Sequence, residues 1–181
     1  MLKKLFIFAI AVLVILMAAL VIIIRHVKPT EALDLDYKEI AIGSKIADMI
    51  KNRKLEVQLT EQDLNDLVKK QLAAHKALPN DIRIEGAKLT LQGSNLEADL
   101  NVRWHEQVSI GAKMMFTLAW NPPNLVIQHR NTQVKGIQIP SEWLPLVPME
   151  IPIEDHLPIL VGVKNVVFEE KAMIIQLKPL R

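Results

Sequence analysis

Side chains that could catalyse a reaction or bind a metal are few in this chain and lie far apart in sequence. There are five histidines and no cysteine, which excludes a thiolate metal site, a cysteine nucleophile and a disulfide. No two histidines have the spacing of a zinc motif on a helix. His105 precedes Glu106, and His156 follows Glu154 and Asp155, but neither pattern supplies a full ligand set. We therefore predict neither a metal site nor a cofactor.

Other catalytic patterns are also missing. No serine lies in a Gly-x-Ser-x-Gly elbow, and no glycine-rich loop followed by lysine could bind a phosphate. Carboxylate pairs, such as Glu169 and Glu170, fall in predicted turns, where solvated charge is their ordinary role. The formal net charge of +2 lacks the basic excess of a nucleic-acid-binding protein. These absences predict a protein that is not an enzyme, with an envelope hydrolase as the minor alternative.

The strongest pattern in the sequence is an uncharged apolar run from Leu5 to Ile24. Twenty residues of helix span about 30 Å, the thickness of the hydrocarbon core of a bilayer. The run is longer than the apolar core of a cleaved signal peptide, and it ends at Arg25 without the small residues that a signal peptidase needs. We predict residues 1–28 to be an uncleaved signal anchor, with a transmembrane helix at residues 5–24.

The orientation of this anchor follows from the basic residues at its two ends. Lys3 and Lys4 precede the run, and Arg25 and Lys28 follow it; basic residues favour the cytoplasmic side. We predict a single-pass protein of the cell membrane with its N-terminus in the cytoplasm. A linker at residues 29–37 would lead to an extracytoplasmic domain at residues 38–181.

Helical spacing marks two segments of this domain. Residues 38–53 carry an apolar stripe, which could pack on the domain or lie on the membrane surface. A second helix is predicted from Thr60 to about His75, because Thr60 can cap its first turn while Asp63 reaches back to the cap. Leu55 to Leu59 alternate between apolar and polar residues and predict a short strand before it.

From Ile82 onward the apolar period changes to two, and short turns, including Glu85-Gly86 and Gly93-Ser94-Asn95, separate the strand-like runs, which predicts an antiparallel meander. The longest run places seven apolar side chains on one face: Val108, Ile110, Ala112, Met114, Phe116, Leu118 and Trp120. Long strands twist and coil. The predicted fold class is therefore α+β, with the transmembrane helix followed by a curved antiparallel sheet wrapped around the Thr60 helix.

The last third of the chain is less regular. Five prolines lie between Pro140 and Pro158, so this stretch is not a central strand. It is also too apolar for a solvated linker, and it should lie against the sheet, a partner or a lipid. Two further strands are predicted around residues 160–168 and 173–177.

Two functions fit this pattern. If one helix cannot cover so long an apolar sheet, the remaining groove could bind an acyl chain or another apolar ligand. The predicted lining residues are Leu72, Val108, Ile110, Met114, Phe116 and Leu118. The alternative is a scaffold or accessory subunit of a cell-envelope assembly, which would dock a protein partner through Trp143, Leu144, Leu146 and Met149.

The layout resembles a known family at two short motifs. These are the helix start Leu59-Thr60-Glu61-Gln62-Asp63-Leu64-Asn65-Asp66-Leu67 and the segment from Lys135 to Pro140 with Trp143-Leu144. Together with the N-terminal anchor they resemble the YpmS-like membrane-anchored proteins of Gram-positive bacteria. More distantly, the pattern is similar to tubular lipid-binding (TULIP-like) domains. That resemblance implies a long helix in a curled sheet and, in some members, a bound lipid.

Overall fold

The computed structural model describes residues 2–39, 55–74, 77–78, 81–157 and 161–179. These residues form an α+β structure with two helices and a curled antiparallel half-barrel, which confirms the predicted fold class at this level. The helices are α1 (Leu2–His26) and α2 (Glu61–Ala74). The strands are β1 (Glu56–Thr60), β2 (Ala77–Leu78), β3 (Ile82–Gln92), β4 (Asn95–Trp104), β5 (Val108–Asn121), β6 (Asn124–Val134), β7 (Ile137–Ile139), β8 (Met149–Pro152), β9 (Val161–Glu169) and β10 (Ala172–Pro179).

The larger sheet is the predicted meander, because strands β2 to β7 pair in chain order and each pair is antiparallel. β5 has 14 residues, in agreement with the long apolar alternation. Register shifts at Ile84/Gly86 and at Met115/Phe116 mark two bulges, which increase the local twist of a sheet. The turn predicted at Glu85-Gly86 is wrong, since both residues lie within β3.

A second sheet, in the order β1-β10-β9, closes one end of the apolar side of the larger sheet. The buried core joins side chains of both sheets, including Leu91, Leu118, Leu125, Val163 and Met173. The sequence predicts that the Thr60 helix covers this side, whereas in the structure the second sheet covers one end of it. The sequence predicted all three strands of this second sheet. It did not predict that β1 pairs with β10, because these two strands are more than 100 residues apart in the chain.

α2 lies at the edge of the large sheet. Its start is the predicted capping box: the amide of Asp63 donates to Oγ1 of Thr60 at 3.2 Å, and the amide of Thr60 donates to Oδ2 of Asp63 at 2.8 Å. Asn65 then binds both backbone groups of Leu89, accepting from its N–H at 2.7 Å and donating to its carbonyl at 2.8 Å. Polar side chains of α2 thus satisfy the open edge of β3.

α1 is helical over Leu2–His26, and its side chains are described from Ile10 onward. Within the described residues, no helix combines the length and the apolarity that crossing a membrane requires. The structure therefore does not confirm the transmembrane helix predicted at residues 5–24. The side chains of residues 5–9, at the start of that span, are outside the described part of the structure.

The segment predicted to be a linker is bound to the sheet, and we call residues 27–38 the strap. The amide of Gly111 in β5 donates to the carbonyl of Val27 at 3.0 Å. One strand further, the side-chain amide of Asn101 in β4 donates to the carbonyl of Glu31 at 2.8 Å. The strap therefore begins one residue after α1 ends, without free chain between them.

The strap continues over β3 to α2. The amide of Ala87 donates to the carbonyl of Asp34 at 3.1 Å, and Nζ of Lys69 lies 2.7 Å from the carboxylate of Asp34. At the far end, the amide of Lys38 donates to the carboxylate of Asp66 at 3.1 Å. Residues 40–54, which hold most of the predicted helix at 38–53, lie outside the described residues, as does His75 at the predicted end of α2.

Two glycines make room for the strap. Gly86, Asn101 and Gly111 are direct neighbours across three strands. A Cβ on Gly86 would overlap the backbone carbonyl of Leu33, and a Cβ on Gly111 would lie 2.9 Å from Cα of Pro29. A glycine inside a strand often marks such a close backbone approach, a signal that the prediction of a linker at residues 29–37 did not use.

The proline-rich stretch divides into edge structure and loop. β8 pairs with the outer side of β6 beyond the end of β7, and short 3-10 turns occupy Ser141–Trp143 and Ile153–His156. Ile153 is buried in the core. The prediction that this stretch is not a central strand is confirmed.

Candidate functional site

The two faces of the large sheet differ in chemistry. β4 and β5 place Leu100 opposite Ala112 and Val102 opposite Ile110 on one face, which we call the apolar face. The next pairs, Asp99 with Lys113 and Asn101 with Gly111, lie on the opposite, polar face, because side chains alternate along a strand. The second sheet packs on the apolar face, and the strap crosses the polar face.

The apolar face is closed at one end and less covered at the other. Leu118 in β5 is 5% exposed within the core. Earlier in the same strand, the apolar side chains remain half-buried, as do their neighbours on β4. We call this part the open apolar face; it consists of Leu100, Val102, Val108, Ile110, Ala112 and Met114.

The six predicted groove residues do not lie together. Val108, Ile110 and Met114 belong to the open apolar face, and Phe116 borders it. Leu118 belongs to the closed core. Leu72 is on α2, which packs mainly against β3 and β1.

A polar pair beside the open apolar face was missed in the sequence. Nε2 of His129 lies 2.9 Å from Oγ1 of Thr132, and the His129 ring contacts Phe116 edge-on with centroids 5.6 Å apart. Alternation along β6 breaks between these residues because of the bulge. The sequence did offer one signal for this pair, a histidine in an otherwise apolar alternation. It offered none for the bulge that places Thr132 beside His129.

The polar face carries charges that neutralise one another. Lys113 binds Glu97 and lies 3.6 Å from Asp99, and the hydrogen bond that Lys113 donates to Glu97 raises the pKa of Lys113. A cavity of about 330 Å³ lies here between the strap and the sheet, bordered by Glu31, Lys113 and Lys135. Its lining suits water or small polar groups better than an acyl chain.

A second cavity, of about 740 Å³, lies beside the later part of the strap. Arg83 and Arg103 line this cavity. They are direct neighbours on β3 and β4. Arg103 pairs with Glu85 at 2.6 Å and Arg83 with Glu106 at 3.5 Å. The hydrogen bond that Arg103 donates to Glu85 raises the pKa of Arg103. Each guanidinium is thus already paired with a carboxylate.

In the described part of the chain, no three His, Asp or Glu side chains are grouped so as to hold a metal ion. Nδ1 of His105 lies 3.2 Å from Asp81 at the surface. The side chain of His156 lies outside the described residues.

The predicted docking residues sit at the outer edge of the large sheet. Trp143 is largely exposed, and Leu146 and Met149 are exposed to a smaller extent. Leu144 is half-buried. Met149 pairs with Ile127, and Ile127 pairs with Leu118, so Met149 lies on the apolar face, at the edge of the sheet.

Acid should loosen the strap. The hydrogen bond from Lys69, with a further one from the amide of Asp36, holds the pKa of Asp34 below its ordinary value of 3.8. A lowered pKa stabilises the folded state above the ordinary pKa, and this contribution is lost as the pH falls through the folded value. Because Asp34 is exposed, we expect a modest decrease in the amide-exchange protection factor of Ala87 below about pH 4. Leu89, bound by the uncharged side chain of Asn65, is the control and should not change.

Comparisons with known proteins do not identify the chain. The resemblance to YpmS-like and TULIP-like proteins stays a prediction, because no family model, no curated protein and no solved structure matches this sequence.

Proposed function

We propose that this protein is a membrane-anchored, non-catalytic protein that binds the acyl chain of a lipid along its open apolar face. The N-terminus would lie in the cytoplasm and the sheets outside the cell membrane. The observation that carries the proposal is the uneven covering of one continuous apolar face: the second sheet buries it at Leu118, whereas it is half-buried from Val108 to Met114.

The chemistry of this face favours a flexible hydrocarbon ligand. The six side chains of the open apolar face carry no charge and no hydrogen-bonding group. Removing apolar surface from water contributes about 25 cal/mol per Å², so several methylene groups of one chain could be held without a specific polar contact. Met114 adds an adaptable side chain, which suits ligands of irregular shape.

The membrane anchor is supported by the uncharged run from Leu5 to Ile24 and by the exposed apolar side chains of α1. The strap determines how close a bilayer around α1 would lie to the large sheet. Because Val27 is already bound to Gly111 of β5, a bilayer around α1 would lie close to the strand that carries the open apolar face. An acyl chain would then have a short path from the bilayer to the protein.

Lipid photocrosslinking tests this proposal. The full chain is reconstituted in vesicles of phosphatidylcholine and phosphatidylglycerol that contain phosphatidylcholine with a diazirine in its acyl chain. Mass spectrometry then locates the labelled peptides. We expect labelling of β4 and β5, and we expect Met114→Lys to reduce it at least about fivefold, because a buried ammonium group opposes an apolar ligand.

Met115→Lys is the matched control, since Met115 is adjacent in sequence but lies on the polar face opposite Glu97. Labelling of α1 is the internal standard for insertion in the bilayer. Equal labelling of β5 in the wild type and in both variants would contradict binding at the open apolar face. Absence of label on α1 would contradict the anchor itself.

A further inference from the structure

We propose that residues 137–149, here called the edge loop, dock on the surface of the lipid bilayer that holds α1. This inference rests on the membrane anchoring in the proposed function, but it does not need a lipid on the open apolar face. The edge loop includes β7 and the 3-10 turn at Ser141–Trp143 and ends where β8 begins.

The edge loop starts near the end of α1. Ile137 pairs with Val134, and Val134 pairs with Ala112, the neighbour of Gly111. Two strand spacings amount to about 10 Å. Lys135 and Gly136, which immediately precede the edge loop, border the same cavity as the strap residues 30–31. The strap therefore brings the start of the edge loop close to the point where α1 would leave the bilayer.

The side chains of the edge loop are unusually apolar for a surface. Between residues 137 and 149 the sequence has one charged residue, Glu142. Five large apolar side chains are exposed: Ile137 by 63%, Trp143 by 77%, Leu146 by 43%, Val147 by 84% and Met149 by 59%. Contiguous exposed apolar surface marks a site of contact with protein or membrane, and tryptophan is enriched where proteins meet the bilayer interface.

The shape of the edge loop favours a bilayer over a protein partner. β7 and β8 pair with separate parts of β6, and residues 140–148, which connect them, belong to no strand. The two cavities beside the strap include none of its exposed apolar side chains. A bilayer accepts exposed apolar side chains without a complementary pocket. Because the anchor would hold the edge loop at a high effective concentration, weak insertion would be enough.

A single fluorescent probe tests this docking. The chain has no cysteine, so Val147→Cys can be labelled alone with a polarity-sensitive dye in the full chain. Glu170→Cys, in the turn between β9 and β10, carries the same dye as the control. Both proteins are reconstituted in vesicles of phosphatidylcholine and phosphatidylglycerol, with or without bromine on the acyl chains. We expect a severalfold higher, blue-shifted emission at position 147, quenched by the brominated lipid, and a water-like emission at position 170.

The unlabelled protein supplies a second readout. With Trp104 and Trp120 replaced by phenylalanine, the emission of Trp143 should also be quenched by brominated lipid. Water-like, unquenched emission of both the dye at position 147 and Trp143 would overturn bilayer docking and favour the protein partner predicted from the sequence. A signal that rises with the protein-to-lipid ratio but is insensitive to bromine would indicate a second copy of the chain and would also overturn it.

Failure of the proposed function remains distinguishable from failure of this inference. If Met114→Lys leaves the crosslinking of β5 unchanged while position 147 is quenched, the edge loop docks without a lipid-binding sheet. If the protein does not float with the vesicles, the anchor is wrong, and bilayer docking is overturned with it.

Discussion

Gly86→Ala is expected to release the strap from β3 and to reduce the free energy of unfolding by about 2–4 kcal/mol. The added Cβ would overlap the backbone carbonyl of Leu33, and a backbone carbonyl cannot rotate away as the end of a side chain can. Forced overpacking of this kind costs about 1–3 kcal/mol. The hydrogen bond from Ala87 to the carbonyl of Asp34 would be lost as the strap moves, at about 1 kcal/mol.

Denaturant unfolding of the full chain in detergent micelles measures the loss, and amide exchange identifies where it occurs. The amide of Ala87 should lose protection, whereas the amide of Leu89, held by Asn65, should keep it. Gly111→Ala is a graded control, because its Cβ would meet Cα of Pro29 at 2.9 Å, and it should cost less. Unchanged protection of Ala87 in Gly86→Ala would show that the strap is not seated as described.

Asn65→Ala is expected to open the edge of β3, with a loss of about 2–4 kcal/mol. Its side chain binds the N–H and the carbonyl of Leu89 and also the carbonyl of Glu61. Each such bond contributes about 0.5–1.5 kcal/mol net, so the three bonds together contribute about 2–4 kcal/mol. The higher helix propensity of alanine offsets well under 1 kcal/mol of this.

The same unfolding experiment measures this change, with the exchange of the Leu89 amide as the local signal. Asn65→Asp should retain the acceptor for the Leu89 N–H but lose the donor to its carbonyl, so it should show an intermediate loss. Lys70→Ala, on the exposed side of α2 next to Glu39, should change stability little. If Asn65→Ala behaves like Lys70→Ala, the side chain of Asn65 does not hold α2 on β3.

Local patterns in the sequence predicted the individual elements well. Alternation from Val108 to Trp120 corresponds to β5, and Thr60 with Asp63 marks the start of α2, because a strand period and a helix cap are written in residues a few positions apart. The meander followed from short turns between strands, which leave few alternatives for pairing. Three of the predicted groove residues lie on the open apolar face for the same reason: one strand face is a local pattern.

Contacts between distant parts of the chain were decided only in the tertiary structure. No local signal pairs Val57 of β1 with Ile175 of β10, so the second sheet, and with it the burial of Leu118, could not be anticipated. The sequence predicts a linker at residues 29–37 and gives no local pattern for the strap, because the strap is bound mostly through its own backbone carbonyls, which every residue possesses. The amino-acid sequence by itself thus determined the elements, their faces and the absence of cysteine chemistry. Tertiary packing decided which part of the apolar face is covered, since covering depends on the path of remote segments and not on the residues of the face.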